Sequence, residues 1–270
     1  MSTCVMKLHT IGLGKIEKGE RKMKMDEILL GDAYELIKEV PDKSVDLIIT
    51  DPPYKIEGDL GKRTGIFRHR VVHYTDELSK DDNRIVSGID SAILGEFVRV
   101  MKKVNCYIWC NKEQIYDYMT FFVKEMGCNF EFLIWEKNNV PPFYSGHFLK
   151  DKEYCLHFWE TGAKLSFDSF DEARTVFHSN KNLEDKKLYG HPTIKPQKFI
   201  ELMVKASSEQ GGVVLDPFSG SGTTACACKA LGRHFIAFEI DKGYWEASVD
   251  RLKGITKAER DSGLVQMKLF

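Results

Sequence analysis

The chain lacks any run approaching the roughly 20 apolar residues that a bilayer span requires, and its opening residues mix charges where a secretory signal would be apolar. A cytoplasmic protein with no membrane association is therefore expected. Its seven cysteines, Cys4, Cys106, Cys110, Cys128, Cys155, Cys226 and Cys228, include no Cys-x-x-Cys pair. That spacing argues against a zinc site, so no metal is expected, and free buried thiols in a reducing compartment are the favoured reading. Net charge is also nearly missing, since 39 Lys and Arg stand against 40 Asp and Glu. A polyanionic partner must then be met by local positive charge rather than by the molecule as a whole. Internal repeats and low-complexity tracts are absent. What remains, 270 residues with 43% hydrophobic content, suits a single domain, 1–270, with a modest insertion and no room for a second large domain.

Two short segments carry most of the chemical information: Asp51-Pro52-Pro53-Tyr54 and Asp216-Pro217-Phe218-Ser219-Gly220-Ser221-Gly222-Thr223-Thr224. Each comes after a short apolar run that reads as a buried parallel strand, Val45 to Thr50 before the first and Gly212 to Leu215 before the second. Both segments therefore sit at strand carboxyl ends, where open α/β sheets bind ligands. The second is a glycine-rich turn opening a helix, in which glycines permit close backbone approach and Thr223 and Thr224 are candidates to satisfy first-turn amides. No Gly-Lys-Ser/Thr comes after it and the three-glycine dinucleotide spacing is missing, so neither a Walker loop nor a strict dinucleotide fingerprint is present. A further strand, His234 to Phe238, delivers Glu239 close to the roughly 20-residue step at which an acid takes ribose hydroxyls in Rossmann-like sites.

Together these residues resemble the S-adenosylmethionine-dependent DNA amino-methyltransferases, the family that methylates adenine N6 or cytosine N4. The likeness runs from about Leu29 to about Leu252, and the order, with Asp-Pro-Pro-Tyr ahead of the glycine turn, is similar to that of the circularly permuted β class. The resemblance implies S-adenosylmethionine as cofactor, held by Asp216, Phe218, Ser219, Gly220, Ser221, Gly222, Thr223 and Glu239. Gly31-Asp32-Ala33, after the strand Ile28-Leu29-Leu30, resembles the segment whose acid, here Asp32, contacts the cofactor's adenine. His191-Pro192-Thr193-Ile194-Lys195-Pro196 resembles the entry to the helix bounding the methionine end, which adds Thr193 and Lys195. The run Ile134 to Asn139 resembles the far wall of the target-base pocket and points to Trp135. Double-stranded DNA is the implied substrate.

The chemistry expected of the first segment is dictated by the nucleophile. An exocyclic amino nitrogen is a poor one, because its lone pair is delocalised into the base. The Asp51 carboxylate and the Pro52 carbonyl can accept its two hydrogens and leave the lone pair aimed at a sulfonium methyl. Pro52 and Pro53 restrict the backbone so that this carbonyl stays in place, and Tyr54 offers a face on which a flipped base can stack. Pro-Pro in a loop is also an ordinary turn, and the preceding buried strand and distant glycine turn favour chemistry. No covalent intermediate is needed, and the absence of Pro-Cys argues against a C5-cytosine enzyme with its cysteine nucleophile. Asp51 at the head of the tetrad favours adenine N6 over the cytosine-N4 runner-up, whose members more often carry Ser there. A catalytically silent DNA-binding subunit is a third reading, and the intact tetrad and glycine turn stand against it.

Positive charge is concentrated in residues 62–73, where Lys62, Arg63, Arg68 and Arg70 are accompanied by no acid, and these four are the candidate phosphate contacts. Family resemblance places target recognition within 145–190, with the apolar strand Tyr154 to Trp159 inside it serving as scaffold. Helical periodicity predicts helices over 90–101, 112–126, 196–207 and 244–252, with Gly127 and Gly254 as stops. Their alternation with buried strands predicts an α/β, Rossmann-like, doubly wound and mostly parallel sheet of the class I methyltransferase kind. Two strands without a long helix between them, Glu131 to Trp135 and Tyr154 to Trp159, suggest an antiparallel edge hairpin. The tail, 256–270, opens on a polar stretch that reads as a tether. It ends in Gln266-Met267-Lys268-Leu269-Phe270, which resembles the Gln-x-x-Leu-Phe motif that docks bacterial proteins on the replication sliding clamp. Gln266, Leu269 and Phe270 would be the anchors, although a strap folded back on the core is the favoured reading.

Overall fold

A computed structural model describes residues 24–55, 88–140, 148–181, 183–189 and 194–262. The sequence stretches of continuous apolar residues become strands because only a sheet covered on both faces can bury them. β2 (Leu47–Thr50) is buried at all four positions and β3 (Asn105–Cys110) at all six. Around them an eight-stranded sheet forms from β1 (Glu27–Leu30), β4 (Asn129–Lys137), β5 (Lys152–Trp159), β6 (Val176–Ser179), β7 (Val213–Asp216) and β8 (His234–Glu239), in the order β1-β8-β7-β2-β3-β5-β4-β6. The first five in that order are mutually parallel. Leu30 pairs with Glu239, Asp216 with Ala237 and Ile48 with Leu215, so the carboxyl ends of β1, β8, β7 and β2 form one edge. Asp32, Glu239, Asp216 and Asp51 consequently emerge along the same side of the sheet.

Helices cover both faces, as the alternating pattern predicts. On one face α2 (Ser91–Val100) buries Ile93, Leu94, Phe97 and Val100, and its N-cap is Asp90, whose carboxylate accepts from Ala92 N at 2.9 Å. Phe97 joins Ile37, Phe122, Phe158, Cys106 and Cys110 in that core. On the other face α5 (Gln197–Ser207) packs Phe199, Ile200, Met203 and Val204 with Trp109, Tyr107 and the strands β7 and β8. Successive β3 residues alternate between the two cores, which is why Cys106 and Cys110 share a face. The remaining helices are α1 (Ala33–Leu36), α3 (Ile115–Met119), α4 (Leu183–Tyr189), α6 (Thr223–Leu231), α7 (Lys242–Leu252) and α8 (Lys257–Asp261). None of the helices among the described residues is long and apolar enough to cross a membrane.

Three departures from the sequence reading have physical causes. The segment 112–126 is helical only from Ile115, because Asn111 and Gln114 are spent anchoring a neighbouring loop, and α3 then widens into a π-turn over Thr120–Glu125. β5 is antiparallel to both β3 and β4, giving the expected hairpin, but the edge beyond it is occupied by β6, parallel to β4. Four residues, none of them fully buried, carry too little periodicity to announce that strand. Where a tether was expected, α8 forms, because Thr256 and Glu259 make a reciprocal capping box. The described part of 145–190 thus includes two strands of the sheet as well as α4.

Phe158 is fully buried and its ring stacks on Phe122 at 4.6 Å between centroids. Phe158→Ala is expected to cost about 3–5 kcal/mol of unfolding free energy in urea denaturation. A cost below about 1 kcal/mol would mean that this packing does not hold the sheet to its helices.

Candidate active site

The 51–54 segment leaves β2 without regular structure of its own and is pinned from the β3–α3 junction. Gln114 Nε2 donates to the Pro53 carbonyl at 3.0 Å and Asn111 Nδ2 to the Lys55 carbonyl at 2.6 Å. The Pro52 carbonyl thereby has β2 on one side of it and an anchored loop on the other. Asp51 divides its carboxylate. Oδ2 accepts from Lys195 Nζ at 2.5 Å, whereas Oδ1 is buried and has no hydrogen-bond partner among the described residues. Lys195 itself, 8% exposed, reaches three more groups: Glu153 Oε2 at 3.0 Å, Tyr54 Oη at 3.4 Å and the face of Trp109 at 4.8 Å from the ring centre. The second oxygen of Glu153 pairs with Lys137 at 2.5 Å.

The electrostatics reflect that sharing. Burial raises the Asp51 carboxyl above its ordinary range, with Lys195 opposing the shift. Burial also acts to raise Glu153, but the charges of Lys195 and Lys137 outweigh it and hold that carboxyl at about 2. Burial alone would neutralise Lys195, yet Asp51 and Glu153 raise its ammonium above the usual lysine range. Lys195 and Glu153 are thereby held in their charged forms, and Lys195 opposes the upward shift of Asp51.

The glycine turn leaves β7 at Asp216, whose Oδ1 accepts from Phe218 N at 3.2 Å. Burial raises Asp216 to about 7, against hydrogen bonds from Thr224 and Thr50. Gly220 and Gly222 adopt φ of 49° and 72°, and a Cβ on Gly222 would lie 3.0 Å from the Ser248 side chain. Glycine is needed there for close packing of α7 as well as for backbone conformation. Gly220 N donates to Glu239 Oε2 at 2.7 Å, and Glu239 Oε1 accepts from Asp241 N at 2.8 Å. Each oxygen keeps a further lone pair for a ligand hydroxyl, and Ser219 Oγ is buried without a partner among the described residues in the same turn. Thr223 and Thr224 do not cap the helix amides, as the sequence suggested. Thr223 Oγ1 instead meets Ser221 Oγ and the buried Arg251, which donates to it at 2.8 Å and to the Ser221 carbonyl at 3.0 Å. Asp32 caps α1 by accepting from Tyr34 N at 2.9 Å.

Placement of the sequence candidates is therefore uneven. Asp51, Pro52, Pro53 and Tyr54 stand together at the end of β2, and Asp32, residues 216–223 and Glu239 lie along the same sheet edge. Lys195, read as a cofactor contact, stands against Asp51 instead, because the turn into α5 aims it across the sheet at β5. Trp135, read as a pocket wall, is 3% exposed, donates to Ser179 Oγ at 2.8 Å and meets Trp109 edge-on, which makes it support behind Trp109. Thr193, Lys62, Arg63, Arg68 and Arg70 lie outside the described residues, as do Gln266, Leu269 and Phe270. Sequence reasoning missed Glu153, Lys137, Trp109, Gln114 and Arg251. An acid opening an otherwise apolar strand was the available signal for Glu153. Among the described residues no group of three or more His, Cys, Asp or Glu is placed to hold a metal ion.

Comparison with known proteins agrees with this geometry. The family model described as a DNA methylase of the N6/N4 type matches residues 45–250. The Type II methyltransferase M.HinfI of Haemophilus influenzae is 28% identical over 272 residues, covering 91% of this chain and 73% of that protein. M.HpaI of Haemophilus parainfluenzae is 28% identical, with 84% and 74% covered. Among solved structures, the M1.HpyAVI–SAM complex superposes with a TM-score of 0.59 at 26% identity, over 84% of this chain and 98% of that one. The cytosine-N4-specific PvuII DNA methyltransferase shares the fold, with a TM-score of 0.62 at 20% identity over 85% and 87% of the two chains. Nothing supports a sliding-clamp partner. A Rossmann-like sheet, an Asp-Pro-Pro-Tyr segment at the end of β2 and a family match over most of its length make this chain a member of the N6/N4 DNA methylase family, whose methyl donor is S-adenosylmethionine.

Proposed function

We propose that the chain methylates N6 of adenine in duplex DNA, with the target base flipped into the pocket at Asp51. The observation that carries this reading is Asp51 Oδ1, a buried acceptor left open while its twin oxygen is tied to Lys195. A buried acceptor without a partner costs free energy, and an amino N–H from the base would satisfy it. The Pro52 carbonyl accepts the second hydrogen, and Tyr54 stacks on the ring. When bound, S-adenosylmethionine supplies an electrophilic sulfonium methyl. Gly220, Gly222, Ser219 and Glu239 are the residues suited to hold it, with Asp32 at the far end of the same edge. The nitrogen must shed a proton after transfer, and Oδ1 is the contacting atom able to take it.

Asp51 in place of the serine more common among cytosine-N4 enzymes favours adenine. Target recognition belongs to segments within 145–190, and phosphate contacts to Lys62, Arg63, Arg68 and Arg70. Nucleoside mass spectrometry of DNA from cells expressing the chain is expected to show N6-methyladenine. N4-methylcytosine as the sole product would transfer the proposal to the cytosine branch.

Asp51→Asn should keep the loop's shape but turn its amide N–H₂ toward the base, since Lys195 demands the oxygen. A fall in kcat of more than about 100-fold is expected, with S-adenosylmethionine affinity in calorimetry within about twofold of wild type. Retention of more than about a tenth of the rate, a loss under about 1.4 kcal/mol, would remove the acceptor role. Gly220→Val forces a branched side chain to a positive φ beside Glu239 and should abolish cofactor binding. Unaltered affinity would show that the turn is not the cofactor site.

A further inference from the structure

The geometry points to Glu153 as a positioning residue for methyl transfer, acting through Lys195 to offset the ammonium charge beside Asp51. It rests on the reading that Asp51 receives the target amino group, and holds for adenine or cytosine alike. Three facts carry it. Lys195 Nζ lies between the two carboxylates, 2.5 Å from Asp51 Oδ2 and 3.0 Å from Glu153 Oε2. It is buried over the faces of Trp109 and Tyr54, 4.8 and 5.7 Å from their ring centres, and has little water to share its charge. Glu153 is itself held by Lys137 on its opposite oxygen, Oε1, and its buried Oε2, which makes no hydrogen bond among the described residues, faces the Lys195 ammonium as an ion pair.

The reaction explains why such an arrangement would be kept. Transfer breaks the sulfonium S–CH₃ bond and forms N–CH₃, so the sulfur becomes a neutral thioether and the positive charge passes to the nitrogen until a proton leaves. Lys195 alone would cancel Asp51 and place a neutral pair beside that developing cation. Glu153 offsets that ammonium, and because Lys137 pairs with its other oxygen the four side chains sum to zero, against +1 without Glu153. Lys195 then fixes which carboxylate oxygen faces the base, without opposing the charge that develops there. Burying three charges together is costly unless geometry compensates, and pairing with Lys137 on β4 accounts for only one of the two oxygens of Glu153.

The other titratable groups facing Asp51 do not supply this charge. Burial raises the Cys110 thiol to about 12 and also raises Cys155, and it keeps the Tyr54 and Tyr118 phenols neutral. Asp216, raised by burial to about 7, titrates nearby in every variant and is common background.

The test is single-turnover methylation of unmethylated genomic DNA by the full chain across pH, with cofactor affinity measured in parallel. Glu153→Gln is expected to slow transfer on the order of tenfold with cofactor affinity unchanged, and to move the acidic limb of the rate profile to lower pH. The sign arises because the Glu153 charge raises the Asp51 carboxyl, so its removal lets Asp51 ionise more readily. Lys195→Met should move the same limb to higher pH, since an ammonium that favours ionised Asp51 is gone. Glu153→Asp, which keeps the charge, should recover most of the rate. A wild-type rate for Glu153→Gln, limbs that move in the same direction, weakened cofactor binding, or failure of Glu153→Asp to recover activity would each overturn the assignment. If Lys195→Met is inactive, the Glu153→Gln profile alone decides. Asp51→Asn separates the two levels. An active Asp51→Asn enzyme refutes the placing of the amino group, whereas an inactive one beside a fully active Glu153→Gln refutes only the role of Glu153.

Discussion

Parallel pairing of β2 between β7 and β3 is the constraint on which the rest of the molecule depends. A strand buried at every position and hydrogen-bonded on both sides has one register open to it, because a slip of one residue would exchange the faces of Ile48 and Ile49 between two separate cores. That register puts Asp51 at the sheet edge, two strands from the end of β8. The same ladder pairs Asp216 with Ala237, two residues short of Glu239, so the glycine turn after β7 and the end of β8 lie on the edge that carries Asp51.

The charges in the pocket work against stability and are held in place by geometry. Lys195, Asp51 and Glu153 each meet burial that favours their neutral forms, and it is opposed by their mutual contact and, at Glu153, by Lys137. Replacing such a cluster with apolar side chains of similar size is often neutral or stabilising. Its presence therefore belongs to the chemistry. Arg251 plays a comparable part beneath the glycine turn, where it links Ser221 and Thr223 to α7 and places its guanidinium 5.1 Å from the Tyr189 ring on α4. The turn is thus tied to the segment leading back toward the pocket.

Most of the scaffold was legible because the signals for it are local. Continuous apolar runs announced β2, β3, β5, β7 and β8, helical periodicity announced α2, α5 and α7, and the Asp-Pro-Pro-Tyr and glycine-turn motifs are contiguous. The parts that escaped are made by long-range pairing or by very short patterns. Lys195 and Asp51 are 144 residues apart, and only the folded sheet brings them into contact. Glu153 reads as a surface acid at the start of a core strand until the reversed direction of β5 places it just beyond the end of β3, next to Lys195. The capping box of α8 and the four residues of β6 are too brief to outweigh the polar composition around them.

β5 is the one described strand that runs against its neighbours, and its reversal changes which part of a strand can serve the site. Parallel strands offer their last residues to the ligand edge, so the loops beyond them are free to vary. β5 offers its first: Tyr154 pairs with Cys110, and Glu153 and Lys152 lie at the edge itself. The register of this strand must then be set by the chain entering it rather than by the chain leaving it. A single-residue insertion ahead of Glu153 that was absorbed by sliding β5 would present Lys152 or Tyr154 to Lys195 in place of the acid. In the first case a repulsive pair would stand where the bridge had been.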